Sequence, residues 1–171
     1  MDKVITTALL IVISMVLALV LFNAAYPAIQ EGGQAIDNLS SRTEDRMRSQ
    51  IAIIHAAGEY DADGNWMDSN ANGDFEVFLW IKNIGDTRVN AVDRMDIFFG
   101  PEGNFMRIPF RTAENDPRPN WTSHVENAVE WTPRATLRIT IHYGGMPPPI
   151  GRYFARVTLP NGITADTTLG L

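Results

Sequence analysis

The sequence predicts an α+β fold in which one long N-terminal helix precedes an all-β domain. Residues 4–22 form an uncharged, apolar run, so a helix of membrane-spanning length is expected there. From residue 75 onward, short segments alternate between apolar and polar residues, which is the period of half-buried strands. Ten prolines and thirteen glycines, mostly after residue 58, supply turns between such strands.

The apolar run is the dominant feature of the chain. At about 1.5 Å per residue it forms a helix of roughly 28 Å, close to the hydrocarbon thickness of a bilayer. A helix that is apolar on every side lies either in lipid or in the core of an assembly. The residues expected to form this membrane or filament-core surface are Val4, Ile5, Leu9, Leu10, Ile13, Val16, Leu17, Val20, Leu21 and Phe22.

We expect the apolar run to be retained rather than removed as a secretory signal. A signal peptide has a basic start, a shorter apolar core and an A-x-A-like cleavage site. Here only Lys3 is basic before the run, and the segment Asn23–Tyr26 matches such a site poorly. Lys3 favours a cytoplasmic N-terminus, which places the polar bulk of the chain outside the cell.

The helix is expected to continue beyond the apolar run. Between residues 34 and 50, apolar residues recur at three- and four-residue spacing with charged residues among them. Gly32 and Gly33 weaken or bend the helix before this amphipathic segment. The segment is either a short stalk on a membrane anchor or part of a rod that packs beside copies of itself. We therefore divide the chain into a helical domain, residues 1–50, and a β-domain, residues 51–171.

The β-domain is predicted to contain six to eight short strands. Residues 51–58 are either a helix end or a first strand, and residues 111–133 form a long loop with one edge strand. Asn161-Gly162 predicts a hairpin with a tight primed turn. Strands at this spacing, with no helix signal among them, indicate an immunoglobulin-like β-sandwich. The other predicted strands are 75–82, 94–99, 105–110, 136–143, 153–159 and 163–169.

The strand at residues 75–82 has one apolar face and one mixed face. Phe78 and Trp80 share the mixed face with Glu76 and Lys82. Large apolar side chains on such a face either pack within the domain or contact another molecule. Phe78 and Trp80 are therefore candidate subunit contacts.

Composition excludes several classes of function. The net charge of −6 leaves no basic patch for phosphates, so nucleic acid is not an expected partner. The absence of cysteine excludes disulfides, thiol nucleophiles and Cys-type metal sites. His55, His124 and His142 are far apart, and no nucleophile elbow or phosphate-binding loop occurs, so we do not expect an enzyme. His142, on the polar face of its strand, is expected to be solvated.

The loop before the 75–82 strand begins like a calcium-binding loop. Oxygen-bearing side chains alternate along it, and Gly73 supplies the sharp turn. Leu79 stands where a bidentate glutamate is expected, so Glu76 or Asp61 is the substitute. A turn-rich hairpin loop fits the same residues, and no other metal or cofactor is predicted. The candidate calcium ligands are Asp68, Asn70, Asn72, Asp74 and Glu76.

Two triplets match the N-glycosylation pattern. They are Asn38-Leu39-Ser40 on the predicted helix and Asn120-Trp121-Thr122 in the predicted long loop. Asn120 is the stronger candidate because acceptor sites lie in surface loops. Asn38 is on the helix, where an assembly would shield it.

Short motifs in the β-domain carry a resemblance to archaeal surface proteins. The motifs are Trp80–Gly85, Asp96–Gly100, Glu126–Asn127 with Glu130–Pro133, Thr136–Ile139 and Leu159–Ile163. With the helix-then-sandwich plan, the chain resembles archaellins and archaeal type IV pilin-like proteins, and most closely the archaellar protein G family. Two features depart from pilins: Ile5 replaces the glutamate of bacterial type IV pilins, and no basic leader precedes the apolar run.

The resemblance implies a non-enzymatic component of an archaellum-type machine. On the main hypothesis the chain is a filament subunit, inserted in the membrane before assembly and afterwards part of an extracellular filament for motility or adhesion. Its implied partners are copies of itself, an assembly platform and a prepilin peptidase-like processing enzyme. The alternative is a membrane-anchored stator or adaptor, as in the protein G family, whose sandwich binds the cell envelope or a surface-layer protein.

Overall fold

The computed structural model describes residues 2–171 as one long helix followed by eight strands. Helix α1 spans Asp2–Arg48, and Pro27, Gly32 and Gly33 lie within it without interrupting it. A single 3-10 turn, Val92–Arg94, precedes the third strand. The strands are β1 (Ile51–Gly58), β2 (Glu76–Asn83), β3 (Asp96–Pro101), β4 (Met106–Ile108), β5 (Asn120–Glu126), β6 (Thr136–His142), β7 (Arg152–Thr158) and β8 (Thr164–Gly170).

The predicted α+β fold is confirmed, and the long helix extends to within two residues of the predicted boundary at residue 50. The chain divides into two compact units, one ending at Glu44 and the other spanning Asp45–Leu171. The last turn of α1 thus belongs to the same unit as the sandwich. The reason lies in hydrogen bonds from the β-domain to this turn, which are described below.

The β-domain is a sandwich of two four-stranded antiparallel sheets. One sheet has the order β1-β2-β6-β5 and the other has the order β4-β3-β7-β8. In immunoglobulin nomenclature these orders are A-B-E-D and C′-C-F-G, so the predicted immunoglobulin-like topology is confirmed. Residues 51–58 form a strand rather than a helix end, and the long loop contains the expected edge strand, β5.

The core consists of the inward faces of the two sheets. Alternate residues of β2 and β6 are fully buried, as period-two patterning requires. Trp121 and Trp131 are the largest buried side chains among the described residues, and they come from the region predicted to be mostly loop. The central buried residues are Val77, Leu79, Ile81, Ile97, Phe99, Leu137, Ile139, Ile141, Tyr153, Ala155 and Val157.

Tyr153 fastens the start of β7 to the preceding loop. Its hydroxyl donates a hydrogen bond to the carbonyl of Pro149 at 2.8 Å, and its ring stacks on Phe99 with 5.4 Å between centroids. A tyrosine near the start of strand F that bonds back to the backbone is a hallmark of immunoglobulin-like sandwiches. Here the hydrogen bond of Tyr153 and the aromatic core stabilise a sandwich that has no disulfide, since the chain contains no cysteine.

The β7–β8 hairpin is confirmed, but the predicted primed turn is wrong. Gly162 has φ of 84°, whereas Asn161 is absent from the residues with positive φ, and a type I′ turn needs positive φ at both central residues. Pro160 fixes a negative φ at the first position of the loop. The chain instead makes a three-residue loop, closed by Gly162 N–H to Leu159 O (2.8 Å) and by Leu159 N–H to Ile163 O (2.8 Å).

Candidate functional site

The predicted membrane or filament-core surface of α1 is exposed along its whole length. Exposure of the predicted residues ranges from 48 % at Ile13 to 75 % at Val4. Among the described residues, α1 is the single helix long and apolar enough to cross a membrane. Its 47 residues span roughly 70 Å, more than twice a hydrocarbon core. Such a surface requires lipid or neighbouring helices to cover it.

The end of α1 is held against the β2–β3 turn by main-chain hydrogen bonds. Asp86 N–H donates to Arg48 O at 2.9 Å. The N–H groups of Ile84 and Gly85 donate to Gln50 O at 2.9 and 3.0 Å. The last carbonyls of a helix have no intrahelical partner, and these bonds satisfy one of them at Arg48. We call residues 45–50, together with the turns that contact them, the collar.

Asn83, at the end of β2, organises this side of the collar. Its side chain is fully buried. Nδ2 donates to the carbonyls of Thr87 (2.9 Å) and Trp131 (3.3 Å), and Oδ1 accepts from Gly85 N–H (3.0 Å). A buried amide is stable only when its donors and acceptor are paired, as they are here. Asn83 therefore specifies the shape of the turn that holds the helix end.

The β7–β8 hairpin forms the second side of the collar. Arg46 Nε donates to Asn161 O at 2.6 Å. Gly162 has φ of 84°, which favours glycine, and the end of the Arg46 guanidinium lies against its Cα. The last helical turn is thus bonded to two separate turns of the sandwich.

Three of the motifs that carry the resemblance meet at the collar. Trp80–Gly85 contributes Asn83 and the turn glycine, Leu159–Ile163 contributes the hairpin, and Glu130–Pro133 contributes Trp131 O. Sequence reasoning identified these motifs without predicting that they surround the helix end. The available signal was the spacing Asn-x-Gly at the end of a strand, which places an amide beside a glycine N–H.

At the end of the β1-β2-β6-β5 sheet that lies opposite the collar, two buried carboxylates accept hydrogen bonds from the loop that joins β1 to β2. Glu59 Oε1 accepts from the N–H (3.1 Å) and hydroxyl (2.5 Å) of Ser69, and Oε2 accepts from Glu76 N–H (3.1 Å). Glu76 accepts from the side-chain amides of Asn72 (2.8 Å) and Asn70 (3.1 Å). Glu59 is 5 % exposed and Glu76 3 %.

His142 completes this arrangement. Its Nδ1 lies 2.9 Å from Glu76 Oε1, and its Nε2 lies 3.0 Å from the hydroxyl of Thr122. The expectation that His142 is solvated is wrong: the ring is 7 % exposed, because the β1–β2 loop bonds to Glu76 beside it. We call Glu59, Glu76, His142 and Thr122 the distal cluster.

Two opposing effects set the pKa of Glu76. Burial by itself raises the pKa, but hydrogen bonds from His142, Asn72 and Asn70 and the charge of His142 outweigh it. The net result is a pKa below the ordinary value of 4.5. Glu76 is therefore an ionised, buried acceptor that holds loop residues in place.

Two of the candidate calcium ligands have different partners in the structure: Asp68 accepts backbone N–H groups, and Asp74 forms an ion pair. Asp68 accepts the N–H groups of Asn72 and Gly73 at 3.2 and 2.8 Å, which lowers its pKa. Asp74 pairs with Arg118 at 2.7 Å. In the described part of the chain, no three His, Asp or Glu side chains are grouped to hold a metal. Calcium binding by this loop remains a prediction.

The two glycosylation candidates differ in accessibility. Asn120 was expected in a surface loop. It is instead the first residue of β5, and it is fully buried. Its Nδ2 donates to the carbonyls of Asp116 and Pro117 at 3.1 and 3.2 Å. The prediction of a surface loop failed because Trp121 anchors this segment in the core. Asn38 is exposed on α1 and is the more accessible acceptor.

Phe78 and Trp80 lie on the outer face of the β1-β2-β6-β5 sheet. Both are half-buried, whereas Val77 and Leu79 on the opposite face are fully buried. The Trp80 ring lies 5.8 Å from Phe78 and 5.1 Å from His55, measured between centroids. The two residues predicted as contacts therefore point away from the core of the sandwich.

No protein-family profile matches the chain. An uncharacterized protein of Archaeoglobus fulgidus is 23 % identical over 168 residues, covering 96 % of this chain and 95 % of the relative. That coverage exceeds the length of the β-domain, so the similarity includes the helix as well.

Two solved structures from Sulfolobus acidocaldarius share the fold. The archaellum periplasmic stator protein FlaG has a TM-score of 0.51 and 19 % identity, covering 71 % of this chain and 99 % of FlaG. The stator complex of FlaF and FlaG gives the same TM-score and identity over 70 % of this chain and 88 % of that one. The resemblance to archaellar protein G is thereby confirmed at the level of fold.

We expect Gly85→Ala to destabilise the collar. A Cβ at this position would lie 2.5 Å from Arg48 O and 2.6 Å from Gln50 N, so the turn would have to move away from the helix end. Overpacking against backbone costs about 1–3 kcal/mol in unfolding free energy. The measurement is chemical denaturation of the full chain in detergent. Gly151→Ala, where a Cβ meets nothing within 4 Å, is the matched control and should change stability by less than about 0.5 kcal/mol. Equal stability of the two variants would contradict the collar.

We expect Glu76→Gln to lower stability at neutral pH by about 1–3 kcal/mol, because a charged acceptor with buried donors is lost. Since the folded-state pKa is below 4.5, the stabilisation is complete above pH 4.5 and is lost as the pH falls through the folded-state pKa. The difference in unfolding free energy between wild type and variant should therefore become smaller in denaturation series below about pH 4.5. Glu102→Gln, at a carboxylate 56 % exposed, is the control and should show no such difference.

Proposed function

We propose that this chain is a membrane-anchored stator or adaptor of an archaellum-type machine. The observation that carries the proposal is the fold shared with a periplasmic stator protein over 99 % of that protein's length. The apolar half of α1 would anchor the chain in the membrane, and the sandwich would lie on the outer side, in the cell envelope. This is the alternative hypothesis of the sequence analysis, and the comparisons favour it over the filament subunit.

The geometry of the chain supports an anchor that carries a separate binding domain. The exposed apolar residues of α1 fit lipid, and the collar joins the helix end to the sandwich by bonds on two sides. Half-buried aromatic residues on an outer sheet face offer a surface for a second protein. The FlaG neighbour occurs in a complex with FlaF, a second protein of the archaellum periplasmic stator, so a second envelope protein is the expected type of partner here.

A filament subunit is the second candidate, and the length of α1 favours it. A helix of 47 residues extends well beyond a bilayer, and neighbouring copies would cover the apolar surface that lipid does not. Heterologous contacts between copies would then give an open helical polymer. Processing by a prepilin peptidase-like enzyme and delivery by an assembly platform belong to this candidate.

Cell fractionation separates the two candidates. Filaments are sheared from producing cells, and both the filament and membrane fractions are examined by electron microscopy and mass spectrometry. We expect the chain in the membrane fraction and absent from the filament body.

Val16→Asp places a charge at the centre of the apolar run, costs about 3 kcal/mol of insertion energy, and should release the chain from the membrane. Val16→Leu is the control and should remain. Filaments built mainly of this chain would overturn the stator proposal.

A further inference from the structure

We propose that residues 29–43 of α1 pair with the same residues of a second copy of this chain in a parallel, two-stranded coiled coil. We call these residues the stalk. The inference rests on the proposed membrane anchoring, which orients the two copies alike, and it names the partner of the helix outside the membrane. The feature that carries it is a row of exposed apolar residues on one side of the stalk.

The stalk lies beyond the part of α1 that lipid can cover. A hydrocarbon core takes about 20 residues of helix, and the uncharged apolar run ends at Phe22. Glu31 is the first charged residue after Lys3 and marks the return to water. Helix α1 continues without interruption through the stalk, so its apolar side chains leave the lipid with it. Each of Ile29, Ile36 and Leu39 is at least 66 % exposed.

The apolar row follows the spacing of a coiled coil. Ile29, Gly32, Ile36, Leu39 and Thr43 are separated alternately by three and four residues, which is the spacing of heptad positions a and d. We call these five residues the seam. Position a is occupied by β-branched residues and Leu39 occupies position d, the combination that favours two parallel strands.

The opposite side of the helix is entirely polar beyond Pro27. Heptad positions b, c and f point away from the seam, and none of them carries an apolar residue between residues 30 and 48. Such a division indicates one side covered by another helix and one side in water. The residues at these positions are Gln30, Glu31, Gln34, Asp37, Asn38, Ser41, Glu44, Asp45 and Arg48.

The charge pattern beside the seam selects a second copy rather than an unlike helix. Positions e and g flank the seam, and their charges specify unlike partners in coiled coils. Here Ala28, Gly33, Ala35 and Ser40 occupy them without charge, and the first charged flanking residue is Arg42. In a parallel pair Arg42 lies opposite Met47 of the second copy, so no like charges meet there. The seam is therefore complementary to itself.

The extent of the seam matches what a stable dimer needs. The same heptad register continues into the membrane, with Ala25, Phe22 and Ala18 at the preceding seam positions. Over residues 4–43, positions a, d, e and g amount to about 24 residues, and a standard interface contributes about 20–30 residues from each side. Anchoring in one membrane also raises the effective concentration of the second copy.

Arg46 ends the seam. It occupies the next position d, but its Nε donates a hydrogen bond to Asn161 O of its own chain at 2.6 Å. An arginine engaged in this way does not pack against a second helix. The paired segment therefore stops one turn before the collar, and its contacts are isologous, so they close at two copies instead of continuing as a polymer.

Disulfide formation between single-cysteine variants tests the pairing, because the chain contains no cysteine of its own. Membranes from cells producing full chains with two different tags are oxidised with copper–phenanthroline. Two thiols release two protons, their sulfurs form a bond, and the two electrons reduce Cu(II) to Cu(I). A disulfide forms only where the two Cα atoms approach within about 7 Å. We expect a product of twice the chain mass, containing both tags, from Ile36→Cys and Leu39→Cys.

Gln34→Cys and Ser41→Cys on the polar side are the matched controls. Their yield should be at least about tenfold lower, since position f faces away from the partner. Leu39→Asp in the Ile36→Cys background should lower the yield about tenfold, because a carboxylate would face its own copy in the seam. Ser41→Asp in the same background should leave it unchanged. Thermal unfolding of each variant shows that the sandwich remains folded.

Three outcomes would overturn the inference. One is an equal yield from seam and polar-side cysteines, and another is a disulfide product that contains a different protein. The third is a ladder of higher oligomers from the Ile36→Cys/Leu39→Cys chain, because in a closed pair both cysteines of one copy reach the same second copy. Fractionation remains an independent readout of the proposed function. A chain retained in the membrane without seam disulfides refutes the pairing alone, whereas a chain that builds filaments refutes the stator role.

Discussion

The buried amide of Asn83 is the interaction on which the connection between helix and sandwich depends. It shapes a turn whose N–H groups reach Arg48 and Gln50, and it ties that turn to Trp131 in the core. A buried amide left unpaired costs about 1–3 kcal/mol, so the three bonds of Asn83 together stabilise this turn. This explains why the last turn of α1 groups with the β-domain rather than with the rest of the helix.

Polar groups define both ends of the β1-β2-β6-β5 sheet, while apolar packing defines its middle. At one end Asn83 orders a turn, and at the other Glu76 orders a loop. Between them, the outer face carries the half-buried side chains of Trp80 and Arg138, which are opposite one another in register. Polar hydrogen bonds thus order both ends of a sheet whose inner face is apolar.

The sequence predicts the parts of this molecule that depend on local pattern. Residues 4–22 are apolar on every side and residues 136–143 alternate, and each pattern allows one type of element. Burial of His142 was not predictable, because it depends on a loop that is distant in sequence. Burial of Asn120 follows from the packing of its neighbour Trp121 in the core, which the composition of this segment does not indicate. The primed turn failed for a local reason, since Pro160 restricts the backbone more strongly than Asn161-Gly162 favours positive φ. The collar required contacts between three separate motifs, which no periodicity reveals.

The short link between α1 and β1 has a mechanical consequence. Only Ser49 and Gln50 separate Arg48 from Ile51, and Gln50 O already accepts two hydrogen bonds from the β2–β3 turn. Chain tension arriving at residue 48 has no slack segment to extend. It is transferred directly to those hydrogen bonds and, through Asn83, to the interior of the sandwich.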